Sequence, residues 1–208
     1  MSNYKQISEY IYDCKNCPTP CDGISKGIYN FKNDVEFSEY YENLIIDKIN
    51  TYPNYQARKT TKDGYPDIEI RNKKTGEITS YLEIKVQRRT FMSVEKILPQ
   101  ANLKPSETLA LNLSDLLRYF DIQKETQVPT SIMWILINRP CIVAENEIAF
   151  FYQSTNLLEK IYNKAKDKRR FRRKSGKGDI VYGVHKGVVV NYHFSIKELK
   201  KWKFIIAK

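Results

Sequence analysis

Two short runs of alternating apolar and polar residues face each other across a polar break between Asp67 and Gln87. Ile68 and Ile70 alternate with Asp67 and Glu69. Leu82, Ile84 and Val86 alternate with Tyr81, Glu83, Lys85 and Gln87. A period of two marks a strand with one buried face. The intervening R-N-K-K-T-G-E carries the Asn, Thr and Gly that a turn needs. The pattern predicts a β-hairpin whose apolar face packs on a core. Its other face gathers two or three carboxylates and a lysine.

Elsewhere the period changes. Phe37, Tyr41, Leu44, Ile45 and Ile49 recur at helical spacing and predict a helix over 37–50, with Asn33 or Asp34 as cap and Pro53 beyond its end. Tyr55 to Thr60 reads as a short strand, and Ser93 to Leu98 as a helical turn. Thr108 to Leu113 alternates like a strand before a helix capped by Ser114; one longer helix from Ser106 competes with that reading. Ser131 to Asn138 is nearly continuous apolar sequence, which predicts a central buried strand with Trp134 in the core. Glu147 to Tyr152 predicts a strand, and Ser154 to about Lys174 a helix. Ile180–Val184 and Val188–Phe194 predict a second hairpin around His185, and Ser195 a cap for a terminal amphipathic helix. Alternating strands and helices place the chain in the α/β class.

A length of 208 residues suits one domain with an appendage. The division expected is a cysteine-bearing segment over 1–33 and the main domain over 34–208. A net charge of +11 points to a polyanionic partner, nucleic acid before an anionic membrane surface, although solubility alone also favours such a surplus. There is no apolar run of about 18 residues, hence no expected membrane span. The opening M-S-N-Y-K-Q lacks the apolar region of a leader, so a cytoplasmic location is expected. The densest basic run holds Lys168, Arg169, Arg170, Arg172, Arg173 and Lys174, residues suited to neutralising phosphates. Phe171 within it could pack on a sugar or base, and His185 could touch a phosphate.

Cys14, Cys17 and Cys21 form a C-x2-C-x3-C pattern whose first pair has zinc-knuckle spacing. Cys141 is the only other cysteine, and His185 and His193 are the only histidines. A zinc site, an iron–sulfur cluster held by Cys14, Cys17, Cys21 and Cys141, and unliganded thiols all fit this pattern.

The polar face of the hairpin carries more specific chemistry. Mg²⁺ takes one or two carboxylates together with water and phosphate oxygens. A lysine two residues from a liganding Glu could orient water or neutralise charge at phosphorus. Such an array suits phosphodiester hydrolysis, while a solvated face with a cross-strand charge pair shows the same alternation.

Pro66-Asp67 followed by Glu83-Ile84-Lys85 resembles the PD-(D/E)xK motif of the restriction-endonuclease-like nucleases. The resemblance covers about residues 36–87. It implies a restriction-endonuclease-like core with a mixed central sheet flanked by helices. It gives Asp67 and Glu83 the role of holding one or two Mg²⁺, and Lys85 that of assisting the attacking water. Members of the family, the archaeal Holliday-junction resolvases included, place a metal-site Glu on a preceding helix with apolar residues three and seven later. Glu42, Ile45 and Ile49 match that spacing, with Glu39 one turn earlier as the alternative. Gln87 shares the polar face, and Arg88 and Arg89 follow as phosphate forks. The function so implied is a Mg²⁺-dependent DNA endonuclease, read here as a homodimeric type II restriction enzyme because the chain around the minimal motif leaves room for base reading. The alternatives are a junction resolvase or repair nuclease of the same superfamily, or a non-catalytic zinc-containing nucleic-acid-binding protein.

Overall fold

The computed structural model describes residues 6–8, 11–12, 31–87, 90–137, 148–172, 180–181, 184–185 and 190–202. In chain order its elements begin with β1 (Gln6–Ser8), β2 (Ile11–Tyr12), α1 (Phe31–Asn50), β3 (Tyr55–Lys59), β4 (Ile68–Asn72) and β5 (Ile78–Gln87). α2 (Val94–Ile97), β6 (Thr108–Asn112), α3 (Leu113–Thr126), β7 (Thr130–Ile137), β8 (Ile148–Ser154) and α4 (Thr155–Ala165) come next. The chain then forms β9 (Arg170–Arg172), β10 (Ile180–Val181), β11 (Val184–His185), β12 (Val190–Ser195) and β13 (Lys200–Trp202).

The expected α/β architecture is present: a mixed six-stranded sheet, ordered β13-β8-β7-β5-β4-β3, lies between helices. β5 and β7 run parallel, and the other neighbours are antiparallel. A parallel pair needs a crossover, and the chain supplies it with α2, β6 and α3. The predicted hairpin is β4–β5, with Ile68 opposite Leu82. Its turn is built as the residue types require. Asn72 accepts from the backbone N–H groups of Lys74 (2.8 Å) and Thr75 (3.3 Å), and Gly76 takes φ 74°.

Alternation sends side chains of these strands to two cores. Ile68, Leu82, Ile84, Met133, Ile135 and Phe150 pack beneath Tyr41, Ile45 and Ile49 of α1. Asn50 ties the end of that helix to β3: its Oδ1 accepts from the Ala57 N–H at 2.7 Å, and its Nδ2 donates to the Ala57 carbonyl at 3.1 Å. On the opposite face, Tyr81, Ile132, Trp134, Leu136 and Phe151 pack against α3, α4 and a second sheet. That sheet has the order β6-β12-β9. Trp134 is fully buried, as expected, and its indole N–H donates to the Ala110 carbonyl of β6 at 3.1 Å. Both faces of the central sheet are therefore covered, including the one that carries the hairpin's charges.

Four expectations need correction. α1 begins at Phe31, earlier than expected. α4 ends at Ala165, where the chain turns through Lys166 at φ 43° and a 3-10 turn into β9. A helix cannot continue through a left-handed residue, so Arg170–Arg172 become an edge strand paired with β12. Ile180–Val181 pair with Val184–His185, whereas β12 pairs with β6 and β9, not with the segment before it. Ser195 does act as a cap, in a reciprocal box with Glu198, but it opens a 3-10 turn that leads into β13. The free edge of β8 supplies backbone partners that outweigh the helical pattern of that segment.

Candidate active site

The site lies at the open end of the hairpin. Asp67 immediately precedes β4, and Glu83 and Lys85 sit two residues apart on β5, so the pleat turns the latter two side chains to the same face. Lys85 Nζ forms an ion pair with Glu83 Oε1. Glu83 Oε2 accepts from the Asp67 backbone N–H at 3.3 Å, and Asp67 Oδ2 accepts from the Ile84 N–H at 2.8 Å. These reciprocal bonds lock the two carboxylates to each other's backbone. The loop before Asp67 is closed by Thr60 N–H on the Asp67 carbonyl at 2.9 Å. Gly64, at φ 76°, lets that loop turn beside Arg118 of α3, whose Cδ would be 3.5 Å from an added Cβ.

Burial sets the electrostatics. Glu83 is 1% exposed. Desolvation, then the negative charge of Glu83, pushes the Asp67 carboxyl up to about 7, with Glu42 adding to the shift. The Ile84 N–H and the Lys85 charge oppose this without cancelling it. For Lys85, burial works against its charge, but the Glu83 and Asp67 carboxylates outweigh it and hold the ammonium above its ordinary range. Among the described residues, two carboxylates face one ammonium, which leaves the cluster short of positive charge.

Glu42 approaches from α1. Its side chain is mostly buried, accepts from Ser38 Oγ at 3.4 Å and pairs with Lys59 at 3.3 Å. Glu39, one turn earlier, is more exposed and pairs with the same lysine at 3.4 Å. The helix therefore turns Glu42 towards Asp67 and Glu39 towards solvent. Among the described residues no group of three or more His, Cys, Asp or Glu side chains is close enough to hold a metal ion, so Glu42 stands near the Asp67–Glu83 pair without joining it.

Several other expected contacts are engaged elsewhere. Gln87 links two strands: its amide donates to the Thr108 carbonyl at 3.1 Å and accepts from the Ala110 N–H at 3.0 Å, fastening β5 to β6. Arg169 turns inward to Glu198 at 2.7 Å. Phe171 packs on Phe91 with ring centroids 5.2 Å apart, not on an open surface. Lys168, Arg170 and Arg172 remain exposed, and Arg170 pairs with Asp167 at 3.5 Å. Arg88, Arg89, Arg173, Lys174 and the four cysteines, Cys14, Cys17, Cys21 and Cys141, lie outside the described residues, as does the side chain of His185. His193 is buried beside Phe91, its Nδ1 3.2 Å from the Arg169 carbonyl, and burial lowers its pKa to about 4.

Sequence reasoning missed the contribution of α3. Tyr119 is buried, and burial first, and then the nearby Glu83 charge, push its phenol well above the ordinary range. Arg118 lies over the Tyr119 ring, 5.3 Å from its centroid, and pairs with Asp115 at 2.9 Å. The one sequence signal was a tyrosine on the apolar stripe of a helix, which reads as core.

No family model and no curated protein matches the chain. Among solved structures, the 1.6 Å structure of Hjc, a Holliday junction resolvase from the archaeal hyperthermophile Archaeoglobus fulgidus, matches with a TM-score of 0.41 and 10% identity. The match covers 78% of this chain and 86% of that one. Among the described residues no helix is long and apolar enough to cross a membrane.

Proposed function

We propose that the chain is a metal-dependent endonuclease of the PD-(D/E)xK type acting on DNA. The observation that carries this reading is the convergence of Asp67, Glu83 and Lys85 on one end of one hairpin. The donor set fits Mg²⁺, which needs only one or two carboxylates when water and phosphate oxygens complete its shell. The raised Asp67 carboxyl fits too, because a divalent cation would relieve the repulsion that burial and Glu83 impose. Asp67 and Glu83 would hold the ion, with Glu42 as a third, more distant carboxylate. When bound, Mg²⁺ supplies Lewis-acid polarisation of the scissile phosphate. Lys85 would shed part of its pairing with Glu83 to donate to the attacking water and to offset charge developing on the phosphoryl oxygens. Exposed Lys168, Arg170 and Arg172 would offer cationic contacts to the backbone.

Within this class, a resolvase or repair nuclease is favoured over a type II restriction enzyme. The restriction reading relied on spare chain around the motif for base reading. Much of that chain instead builds α3, α4 and the second sheet, which seal the inner face of the central sheet. A pair of copies would serve a two-strand cut on a symmetric branched substrate.

The test is cleavage of supercoiled plasmid, linear duplex and a four-way junction in Mg²⁺ and in EDTA. Cleavage that needs the metal and disappears in Asp67→Ala supports the reading. Cleavage undiminished in Asp67→Ala, or none on any of the three DNAs, overturns it. Discrete bands from linear duplex would restore the restriction reading.

A further inference from the structure

We propose that a trench across the α1 face of the central sheet binds unpaired bases of single-stranded or branched DNA. Tyr52 and Tyr55 at one end, and Tyr152 and Trp202 at the other, are its stacking platforms. The choice of ligand rests on the nuclease reading above.

The trench exists because α1 stops short. Asn50 closes the helix by clasping the Ala57 backbone, and the sheet beyond Ile49 opens into a cavity of about 450 Å³. All six strands contribute to its lining, from Tyr55 on β3 to Trp202 on β13. Neighbouring strands lie about 4.8 Å apart, so five intervals make the trench roughly 24 Å long. That span suits several nucleotides of an extended chain better than one compact ligand. Its floor is apolar, from Ile70, Leu82 and Met133, and Ser80 and Ser131 add hydroxyls that can orient a ligand.

Aromatic rings mark both ends. Tyr52 and Tyr55 are exposed. Trp202 stands nearly perpendicular to Phe150, with centroids 6.2 Å apart and planes at 83°, which fixes its ring against the core. Tyr152 lies on the adjoining strand, opposite Lys200. Every base has a flat face, so such rings hold single strands without reading sequence. Each end also carries a cation. Lys73 Nζ lies 3.4 Å from the Tyr52 carbonyl, and exposed Lys200 shares Trp202's side of the pleat. Among the described residues that line the trench there is no acidic side chain. An anionic chain bearing flat rings matches this arrangement. α1 joins the trench to the hairpin's carboxylates: Ile49 lines the trench seven residues after Glu42, about 10 Å along the helix axis. A strand laid along α1 brings a phosphate to the site and an unpaired base to Tyr52 or Tyr55.

Tryptophan fluorescence of the full chain in EDTA tests this, because Trp134 is fully buried and Trp202 is not. A short single-stranded oligothymidylate quenches the native emission, and Trp202→Phe, which keeps a ring in place, removes that quenching. An abasic oligonucleotide of equal length, with the same phosphates, binds about tenfold more weakly and does not quench. Tyr52→Ala combined with Tyr55→Ala weakens oligothymidylate binding about tenfold or more and leaves abasic binding at the native level. Tyr52→Phe with Tyr55→Phe restores it, and circular dichroism checks that both double variants are folded. Equal affinity for the two oligonucleotides, or equal oligothymidylate affinity in the native chain and the double alanine variant, overturns the inference and leaves the nuclease reading to plasmid cleavage. A native dimer that the double alanine variant cannot form, with emission the oligonucleotide does not change, gives the trench to a second copy and also overturns it. Quenching by oligothymidylate in a chain that cuts no DNA supports the trench and overturns the nuclease reading alone.

Discussion

The same face of one hairpin carries two buried glutamates with opposite surroundings. Glu69 lies towards the turn, between Arg58 and Arg71, the latter at 2.8 Å. Glu83 lies at the open end beside Asp67 and, among the described residues, pairs with the single charge of Lys85. Burial tends to raise the Glu69 carboxyl, but Arg71 and Arg58 outweigh it and hold it below the ordinary range. At the other end burial and like charge push Asp67 up to about 7. One carboxylate between two guanidiniums is a closed unit with nothing further to bind. Two carboxylates sharing one ammonium form an open unit. The contrast shows that a buried acid marks a candidate site when its own partners leave its charge unbalanced.

The largest effect expected at the open end is on activity. Lys85→Ala and Asp67→Ala each lower cleavage at least about 10³-fold while DNA binding survives, measured by plasmid nicking and by gel shift. Glu69→Gln at the closed end changes cleavage less than about threefold and lowers the melting temperature by a few degrees, because it unpairs two well-hydrated guanidiniums. Equal losses in Asp67→Ala and Glu69→Gln would erase the distinction between the two ends.

The next effect is on stability, and it runs against activity. An Asp whose folded carboxyl titrates at about 7, against 3.8 ordinarily, binds its proton more tightly in the folded state. Its stabilising contribution is complete below the ordinary value and is lost as pH rises through 7. Asp67→Asn should therefore be more stable than the native chain at pH 8, by up to about 4 kcal/mol, with the difference vanishing near pH 4. Denaturant midpoints at both pH values check this. Mg²⁺ competes with that proton, so its apparent affinity should rise between pH 6 and 8 and its addition at pH 8 should raise the melting temperature. The smallest effect lies away from the hairpin. Arg170→Glu with Arg172→Glu should weaken DNA binding without sequence preference and flatten its salt dependence, leaving metal affinity unchanged.

What could be read from the sequence was local. The hairpin emerged from period-two alternation and from Asn72 and Gly76, all within one short stretch. The convergence of Asp67, Glu83 and Lys85 needed only that hairpin and its register. The closed state of Glu69 was less legible, because Arg58 reaches it from β3, a strand outside the motif. Tyr119 was hidden further, since its place depends on how α3 lies over β5, and no periodicity reports the docking of one element on another. The same limit explains the C-terminal error. Ser195 and Glu198 signalled a cap truly, but the edge of β8 that converts Lys200–Trp202 into a strand lies elsewhere in the chain.

The parallel pairing of β5 with β7 also orders events during synthesis. The ribosome releases Asp67, Glu83 and Lys85 well before Thr130–Ile137, the strand that must lie along β5 with Lys85 opposite Trp134. A nascent chain stalled between them owns all three charged groups but not the wall that holds them in place. The completed arrangement of these three groups would therefore arrive late in translation, after the polypeptide has already committed to its interior.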